Sequence, residues 1–366
     1  MKESHLRISK RLSGHLAYSP GEQPKKSQIV AKLNTNENPY PPSPSVQNAI
    51  NQEINLLNLY PNPVSHDLRQ VIADLHGLNA SQIIVGNGSD DLLNLCVRCF
   101  SDEELKVGML HPSYSLYEVI AGVQGSEMVR IPFQDSEFSL DLAGIKLSKT
   151  NLFFLTNPHA PSGRVYTRKE IRNILDGFSG LLVIDEAYAD FAPQNGLPLL
   201  QEYENLIITR TLSKSYSLAG LRIGYAMGHP NIVQELDKVR EVYNVDRLAQ
   251  AGASAALLDQ MYFKVCLRKV IEQRDFLAET FKFLGWPFIP SGANFIFVQP
   301  LGAGGEASSE NARSLFQYLN ENKILVRYFP DHPLTNSYLR ISIGKPDQMS
   351  MLVDVIKRWT QREKQT

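Results

Sequence analysis

A series of short apolar runs between residues 80 and 230 constrains the fold more than any other feature of the sequence. The runs commonly end near glycine, proline or asparagine, and amphipathic stretches often follow them. They are SQIIVGNG, LKVGMLHP, NLFFLTNP, LLVIDEAY and NLIITRTLSK. Continuous apolar runs of this length are typical of parallel strands that are covered on both faces. The sequence therefore predicts an α/β fold around a mostly parallel, buried sheet.

The pattern changes in the last third of the chain. From Asn231 to Leu284 the apolar spacing becomes helical, and it predicts at least two helices with a break near VYNVD. Two strand-like segments follow, ANFIFVQP and SYLRISIG, with a helix around residues 315–320 between them. This alternation predicts a smaller α+β region after the large sheet.

The division into domains follows from these patterns. The N-terminus, MKESHLRISKRLSGHLAY, lacks the apolar core of a secretory signal peptide, and we expect an exposed arm there. The expected units are an arm (1–30), a large domain (46–250) and a small domain (31–45 and 251–366).

Composition excludes several classes of protein. The net charge of −1 gives no global attraction to nucleic acid or anionic lipid, and no apolar segment approaches the ~20 residues that cross a bilayer. Three cysteines argue against a disulfide framework and are consistent with a reducing cytoplasm. Cys96 and Cys99 share one helical stripe with Leu92, so we interpret them as core residues and expect no metal site.

Polar residues follow four of the predicted strands. Because ligands of open parallel sheets bind beyond the carboxyl ends of the strands, these side chains are expected to share one crevice. Each alone also fits a turn or a helix cap, so only the set points to a ligand. The residues are Ser89 and Asp90, Asn157, Asp185, and Ser213 with Lys214.

The chemistry of this set indicates one ligand. The N-terminus of the helix that starts at Ser89 would attract a phosphate, and Thr211, Ser213 and Arg222 would add donors to it. The Asp185 carboxylate would keep a pyridine nitrogen protonated. A desolvated, neutral Lys214 amine would form a Schiff base with an aldehyde. Pyridoxal 5′-phosphate carries all three groups, and we expect it as the cofactor.

The chain resembles the aminotransferases of the aspartate-aminotransferase fold, the type I pyridoxal-phosphate enzymes, and within them the histidinol-phosphate aminotransferase subfamily. The matching segments include KLNTNENPYPPSPSV, YPNPVSHDLR, GNGSDDLLNL, PSYSLY, VIDEAYADF and TLSKSYSLAGLRIGYAMG. Two positions depart from the family pattern, Pro41 after NENPY and His159 after the Asn-Pro pair. The resemblance implies a large domain with a mostly parallel seven-stranded sheet and a smaller α+β domain.

The resemblance also implies roles at the cofactor. Lys214 would bind the cofactor and move the proton, and Asp185 would pair with the pyridinium nitrogen. Asn157 and Tyr188 would hydrogen-bond to the phenolic oxygen of the ring, and these four residues form the expected catalytic set. Tyr114 would stack on the ring, with Asp90 and the phosphate donors completing the cofactor site. Tyr60 would reach the cofactor phosphate of a neighbouring subunit, which implies a homodimer.

For the substrate, the resemblance implies Arg340 as the anion-binding residue, with Arg327, Tyr18 and Asn38 nearby. The implied reaction is transamination of L-histidinol phosphate with 2-oxoglutarate, which gives imidazole-acetol phosphate and glutamate in histidine biosynthesis. An aromatic amino acid aminotransferase and a threonine-phosphate decarboxylase would share the cofactor residues, and both remain alternatives. A module that binds the cofactor without turnover is a third. The expected partners are small-molecule substrates, and we expect no nucleic acid or membrane partner. The expected location is the cytoplasm.

Overall fold

A computed structural model describes residues 9–12, 17–18, 21–23 and 31–363 of the chain. Most of the predicted N-terminal arm therefore lies outside the described residues. Within the described part, the α-helices are α1 Pro44–Glu53, α2 His66–His76, α3 Ser89–Phe100, α4 Leu116–Gln124, α5 Leu142–Leu147, α6 Arg168–Leu175, α7 Pro230–Val239, α8 Arg247–Leu258, α9 Gln260–Leu284, α10 Ser309–Glu321 and α11 Pro346–Glu363.

The strands of the described part form a seven-stranded sheet, a four-stranded sheet and a two-stranded pair. Their bounds are β1 Ala31–Lys32, β2 Ile83–Gly86, β3 Val107–His111, β4 Met128–Pro132, β5 Leu152–Thr156, β6 Leu181–Asp185, β7 Leu206–Thr211, β8 Gly224–Gly228, β9 Phe288–Ile289, β10 Phe295–Val298, β11 Ile324–Leu325, β12 Arg327–Tyr328 and β13 Leu339–Ser342.

The large sheet has the strand order β2-β8-β7-β6-β5-β3-β4. The pairs β7–β6, β6–β5, β5–β3 and β3–β4 are parallel, whereas β8 runs antiparallel to both of its neighbours. Each of the five apolar runs in the sequence contains one of these strands. The prediction of a mostly parallel seven-stranded sheet is confirmed.

Alternate residues of the central strands enter two hydrophobic cores on opposite faces of the sheet. Val183 of β6 packs with α3 and α7 on one face, where Leu92 and Val233 are buried. Ile184, the next residue, packs into the core that Ala253 of α8 shares. Because side chains of a strand alternate in direction, burial on both faces requires the unbroken apolar runs seen in the sequence.

The last third of the chain forms the predicted α+β region. Strands β12, β13, β10 and β9 make an antiparallel sheet, and α9, α10 and α11 contribute to its core around Phe281, Trp286 and Trp359. Strand β1 pairs in parallel with β11, which brings the segment that starts at Ala31 to this region. The predicted break between helices near VYNVD lies between α7 and α8.

The predicted domain boundaries fall inside two helices, α1 and α8. Both helices pack on the large-sheet side, where Val46 and Leu257 join the same core. The Asp259 carboxylate, between α8 and α9, accepts hydrogen bonds from the hydroxyls of Ser43 and Ser45 at the start of α1. We therefore propose that the chain passes between the two domains at Ser43 and Asp259, with α8 kept whole in the large one.

Candidate active site

A cavity lies at the carboxyl edge of the large sheet, where it meets the α+β region. It is lined by the ends of β5, β6 and β7, by the N-terminus of α3, and by residues of β12 and β13. The residues predicted from sequence that line it are Tyr18, Ser89, Asp90, Tyr114, Asp185, Tyr188, Thr211, Ser213, Lys214, Arg222, Arg327 and Arg340. The structure thus brings most of the predicted set together.

Lys214 lies in the loop that follows β7, and its side chain enters the cavity wall. Its Nζ donates to the backbone carbonyl of Thr35 at 3.2 Å. Among the described residues it forms no ion pair with a carboxylate. Burial, together with the positive charge of Arg340, lowers its pKa to about 8. A large share of the amine is therefore neutral, and hence nucleophilic, slightly above neutral pH.

Asp185 ends β6 and is buried at the floor of the cavity. Its Oδ2 accepts from the Tyr117 hydroxyl at 2.8 Å and its Oδ1 from the backbone N–H of Ala187 at 3.2 Å. Within the described residues no lysine or arginine pairs with it. Burial raises its pKa to about 6. A buried carboxylate with neutral donors alone fits a cationic ligand group such as a protonated pyridine.

An anion cradle lies beside Lys214, at the N-terminus of α3. Free backbone N–H groups of a helix start attract anions, and Ser89 is the first residue of α3. Arg222 donates to the Ser213 hydroxyl at 3.5 Å and to the Asp90 carboxylate at 3.2 Å. The Thr211 hydroxyl accepts from the Ser213 N–H at 3.2 Å. Arg222, the Ser213 hydroxyl and the start of α3 provide donors that suit a phosphate group.

Two glycines allow this cradle to form. Gly88 has a φ of 83°, and a Cβ there would lie 2.6 Å from the guanidinium of Arg222. A Cβ on Gly224 would lie 2.5 Å from the backbone nitrogen of Ser89. Gly88 requires glycine because of its positive φ, and Gly224 because a side chain there would clash with the backbone at the start of α3.

Tyr188 lines the cavity, and its hydroxyl accepts a hydrogen bond from the Asn36 amide at 2.9 Å. Asn36 has a φ of 55°, and its side chain also accepts from the Ser342 hydroxyl at 2.8 Å. The Asn294 amide donates to the backbone carbonyl of Asn36 at 3.0 Å. Sequence reasoning missed Asn36, although it lies in the segment NTNENPY, because nothing in that pattern distinguishes one asparagine from another.

The structure does not support a substrate-binding position for Asn38. Its amide donates to the Ser215 carbonyl at 3.0 Å and its oxygen accepts from the Tyr40 N–H, so it does not line the cavity. This bond fixes the loop one residue after Lys214. Asn34, Thr35 and Asn36, just before it in the chain, line the cavity instead.

Asn157 is close to the site but is not part of the cavity wall. Its amide nitrogen donates to the Tyr166 carbonyl at 3.1 Å, and its oxygen accepts from the Tyr166 N–H at 2.8 Å. One amide hydrogen is left for a ligand. His159 is buried and bonded to Ser162 and the Pro112 carbonyl, and burial lowers its pKa to about 3. It is therefore a neutral structural residue.

Three tyrosines have different surroundings. Tyr114 donates to Asp90 at 3.1 Å, and its ring meets that of Tyr18 edge to face, with centroids 6.0 Å apart. This contact brings the described part of the arm to the cavity. Tyr60 lies elsewhere, 77% exposed and stacked on Tyr243. It does not line the cavity of its own chain.

Arg340 and Arg327 supply positive charge from the α+β region. The guanidinium of Arg340 lies 5.3 Å from the ring centres of Phe295 and Phe329, and it donates to the Asn34 carbonyl at 3.1 Å. No carboxylate of the described residues pairs with it. Burial and the charge of Arg327 lower its pKa, although it stays charged. A partly buried cation without a carboxylate partner is suited to an anionic substrate group.

The class of protein follows from how these charges are divided. The Lys214 amine is suited to react with an aldehyde. The Asp185 carboxylate, which has no cation beside it among the described residues, is suited to a cationic ring. The anion cradle adds a phosphate to that description. The site is therefore that of a pyridoxal-phosphate-dependent enzyme.

Comparison with known proteins gives the family. Residues 28–356 match the family model for aminotransferase class I and II, and the chain belongs to this family. A histidinol-phosphate aminotransferase of Syntrophotalea carbinolica is 43% identical over 93% of this chain and 96% of its own. One of Synechocystis is 44% identical over 92% and 93%.

A solved structure agrees with the fold and the cofactor. The histidinol-phosphate aminotransferase of Sinorhizobium meliloti, in complex with pyridoxal 5′-phosphate, superimposes with a TM-score of 0.89 at 28% identity. The match covers 99% of this chain and 100% of that one. The protein is a pyridoxal-phosphate-dependent aminotransferase, as the sequence predicted. None of the helices in the described ranges is both long and apolar enough to span a bilayer.

Proposed function

We propose that this aminotransferase converts L-histidinol phosphate and 2-oxoglutarate into imidazole-acetol phosphate and glutamate, a step of histidine biosynthesis. The observation that carries the proposal is the match, at 43% and 44% identity over nearly the whole chain, to relatives named for this substrate. The charge of the cavity wall supports it independently.

One anion site would serve both half-reactions. Histidinol phosphate has no α-carboxylate, so its phosphate would occupy the position at Arg340 that the glutamate carboxylate takes later. A guanidinium forms paired hydrogen bonds with either anion. Arg340 lacks a carboxylate partner among the described residues, and Arg327 lines the same cavity. Tyr18 would close this side of the site.

The cofactor would be held by the residues that surround the cavity floor. When bound, pyridoxal phosphate supplies an aldehyde that exchanges amines and a ring that accepts an electron pair. Asp185 would keep the ring nitrogen protonated, and Tyr114 would lie against the ring. Tyr188 and the spare amide hydrogen of Asn157 would donate to the phenolic oxygen. The phosphate would lie in the cradle, held by Ser89, Thr211, Ser213 and Arg222, with Asp90 orienting Arg222.

Lys214 would move the proton. Its neutral amine would remove the proton from the substrate Cα and return a proton later in the same half-reaction. The low pKa of about 8 supports this role, because a base must be unprotonated to act. The Asn38 bond to the Ser215 carbonyl would restrict the loop that carries the lysine.

We also propose a homodimer in which Tyr60 contacts the cofactor phosphate of the partner. An exposed apolar surface surrounds it, including Leu57, Leu59 and Val242, at 57%, 55% and 65% exposure. Surfaces of this kind favour protein association. The three cysteines are free thiols, which is consistent with our proposal that the enzyme works in the cytoplasm.

The proposal is tested by kcat/KM for four amine donors with 2-oxoglutarate as acceptor. We expect L-histidinol phosphate to exceed phenylalanine and tyrosine by at least ~100-fold, because its phosphate brings more negative charge to Arg327 and Arg340 than the single carboxylate of the aromatic amino acids. O-phosphothreonine is the fourth donor, assayed for both glutamate and released CO₂. Asn38→Ala is a useful companion variant, since it should alter the turnover of all substrates alike.

Each outcome has a clear meaning. A preference for phenylalanine or tyrosine would replace the proposal by an aromatic aminotransferase. Release of CO₂ from phosphothreonine would replace it by a decarboxylase. Cofactor binding without turnover of any donor would make the protein a binding module.

A further inference from the structure

Asp185 is held by the buried Tyr117, which does not itself line the cavity. The Tyr117 hydroxyl lies 2.8 Å from Asp185 Oδ2 and 2.7 Å from Thr156 Oγ1. Thr156 Oγ1 is in turn 3.1 Å from Ser113 Oγ. Tyr117 and Thr156 are buried, and Thr156 and Ser113 also line the cavity. Three hydroxyls therefore form a chain that ends at the carboxylate.

The direction of this chain is fixed by chemistry. An ionised carboxylate has no hydrogen, so Tyr117 must donate to Asp185. That donation uses the only hydroxyl hydrogen of Tyr117, so its oxygen accepts from Thr156. By the same count, Thr156 accepts from Ser113. Every hydroxyl dipole then points towards the negative charge, and each bond strengthens the next.

The Tyr117 ring has no room to turn its hydroxyl away. One face stacks on Phe154, with centroids 4.4 Å apart and planes 10° from parallel. Its neighbour on the cavity side is Tyr114, edge to face at 5.5 Å. The hydroxyl is thus presented to Asp185 by two rings, one from the core and one from the cavity wall.

We propose that Tyr117 is a positioning residue that keeps Asp185 ionised and directed at the ring nitrogen of the cofactor, with Thr156 and Ser113 orienting its hydroxyl. The inference depends on the role proposed for Asp185 but not on the identity of the amine substrate. It explains how a carboxylate without a protein cation keeps its charge at the floor of a buried cavity.

Two opposing effects act on the carboxylate. Burial raises its pKa to about 6, because the charged form loses its hydration, and the hydrogen bond from Tyr117 acts in the opposite direction. Removing that donor raises the pKa of Asp185 further. A smaller share of Asp185 would then be ionised at neutral pH, and the ring nitrogen would hold its proton less tightly.

The test uses the holoenzyme of Tyr117→Phe and needs no substrate. Two quantities are measured: the dissociation constant of pyridoxal phosphate, and the pH midpoint of the visible absorption of the bound cofactor. We expect cofactor binding to weaken on the order of tenfold, since a charge-assisted hydrogen bond is lost. The midpoint should move to higher pH by about one unit, because a ring without positive charge raises the proton affinity of groups attached to it.

Matched variants separate positioning from stability. Tyr225 is also buried, and its hydroxyl lies 2.8 Å from His76 Nε2, outside the cavity. Tyr225→Phe should lower thermal stability without moving the midpoint. Thr156→Val should move the midpoint in the same direction as Tyr117→Phe but by less, and Thr156→Ser should restore it. This series keeps the proposal testable if Tyr117→Phe does not fold.

Asp185→Asn shows which claim has failed if a result is negative. A wild-type midpoint and affinity in Tyr117→Phe, with both quantities changed in Asp185→Asn, would overturn the proposal for Tyr117 alone. Unchanged values in Asp185→Asn would remove the role of Asp185 and this inference with it. Neither result would bear on the choice of amine substrate, which the kcat/KM series decides.

Discussion

Two pairs of charged groups lie side by side in this protein and have opposite surroundings. Glu186 and Arg210 pair with each other, with Oε2 3.0 Å from Nε and 2.7 Å from a terminal guanidinium nitrogen. Asp185 precedes Glu186 by one residue and Lys214 follows Arg210 by four, yet neither has a counter-ion among the described residues. Asp190 lies 3.8 Å from Arg210 and completes the paired side.

The presence or absence of a counter-ion distinguishes charged residues with a structural role from those with a functional role. A buried ion pair satisfies its own electrostatics and needs nothing more. An unpaired buried charge is costly, and it persists where a ligand completes it. Here the unpaired amine, acid and guanidinium all line one cavity, and their charges are opposite to those that the cofactor and the proposed substrate would bring.

The largest effect is expected from Lys214→Ala. Without the amine, both the covalent attachment of the cofactor and the proton transfer are lost, and kcat should fall at least ~1,000-fold. Turnover and the visible absorption of the holoenzyme measure the two losses. A variant that kept its turnover would place the reactive amine elsewhere and would contradict the functional role of the unpaired charges.

Glu186→Gln tests the paired side. The buried Arg210 then faces a neutral amide in place of the Glu186 carboxylate, and we expect the free energy of unfolding to fall by about 3 kcal/mol. The folded fraction should still bind the cofactor with a visible band like that of the wild type. Urea denaturation measures the free energy of unfolding. The control is Lys238→Gln, which removes one partner of an exposed ion pair. Loss of the visible band at full stability would contradict a purely structural role.

Arg340→Gln tests the unpaired side. We expect kcat/KM for both half-reactions to fall on the order of 100-fold, because paired, charge-assisted hydrogen bonds to the anion are lost. Stability should stay the same or rise, since an unpaired buried cation has been removed. Thermal unfolding of this variant beside Glu186→Gln gives the contrast directly. A comparable loss of stability in both would show that Arg340 is structural.

The smallest effect concerns pH. Only the neutral amine of Lys214 reacts with an aldehyde, and its pKa is lowered to about 8. Cofactor uptake by the cofactor-free protein should therefore quicken about fivefold from pH 7 to 8, rise by less than twofold more, and level off above about pH 9. Stopped-flow absorbance measures the rate. In Arg340→Gln the rise should move to higher pH, because a positive charge near the amine is gone; a rate that climbs unchanged to pH 10 would refute the lowered pKa.

The asparagines of one segment show what the sequence can and cannot predict. The pattern NTNENPY points to Asn38 as a substrate-binding residue, whereas in the structure the Asn38 amide donates to the Ser215 carbonyl. Asn34 and Asn36 line the cavity instead. In an irregular segment, the spacing of residues does not show which way each side chain points. The left-handed backbone of Asn36 changes the direction of the side chains in this segment, and the sequence pattern does not reveal it.

Tyr117 shows a second limit. In the sequence it is one aromatic residue of PSYSLY, and its spacing within α4 indicates only a core position. Its contact with Asp185 spans 68 residues of chain. Only the packing of α4 against the ends of β5 and β6 brings the two together, so no local pattern could predict the bond.

The sheet and the cofactor follow from the sequence, because uninterrupted apolar runs require burial on both faces and because strand ends place polar residues at one edge. The sequence also places Lys214, the amine predicted to bind the cofactor, at that edge. Which of the charged groups are paired is set by the tertiary structure. Pairing depends on distances of a few ångströms between residues of different strands and loops, and those distances exist only once the chain has packed around the cavity.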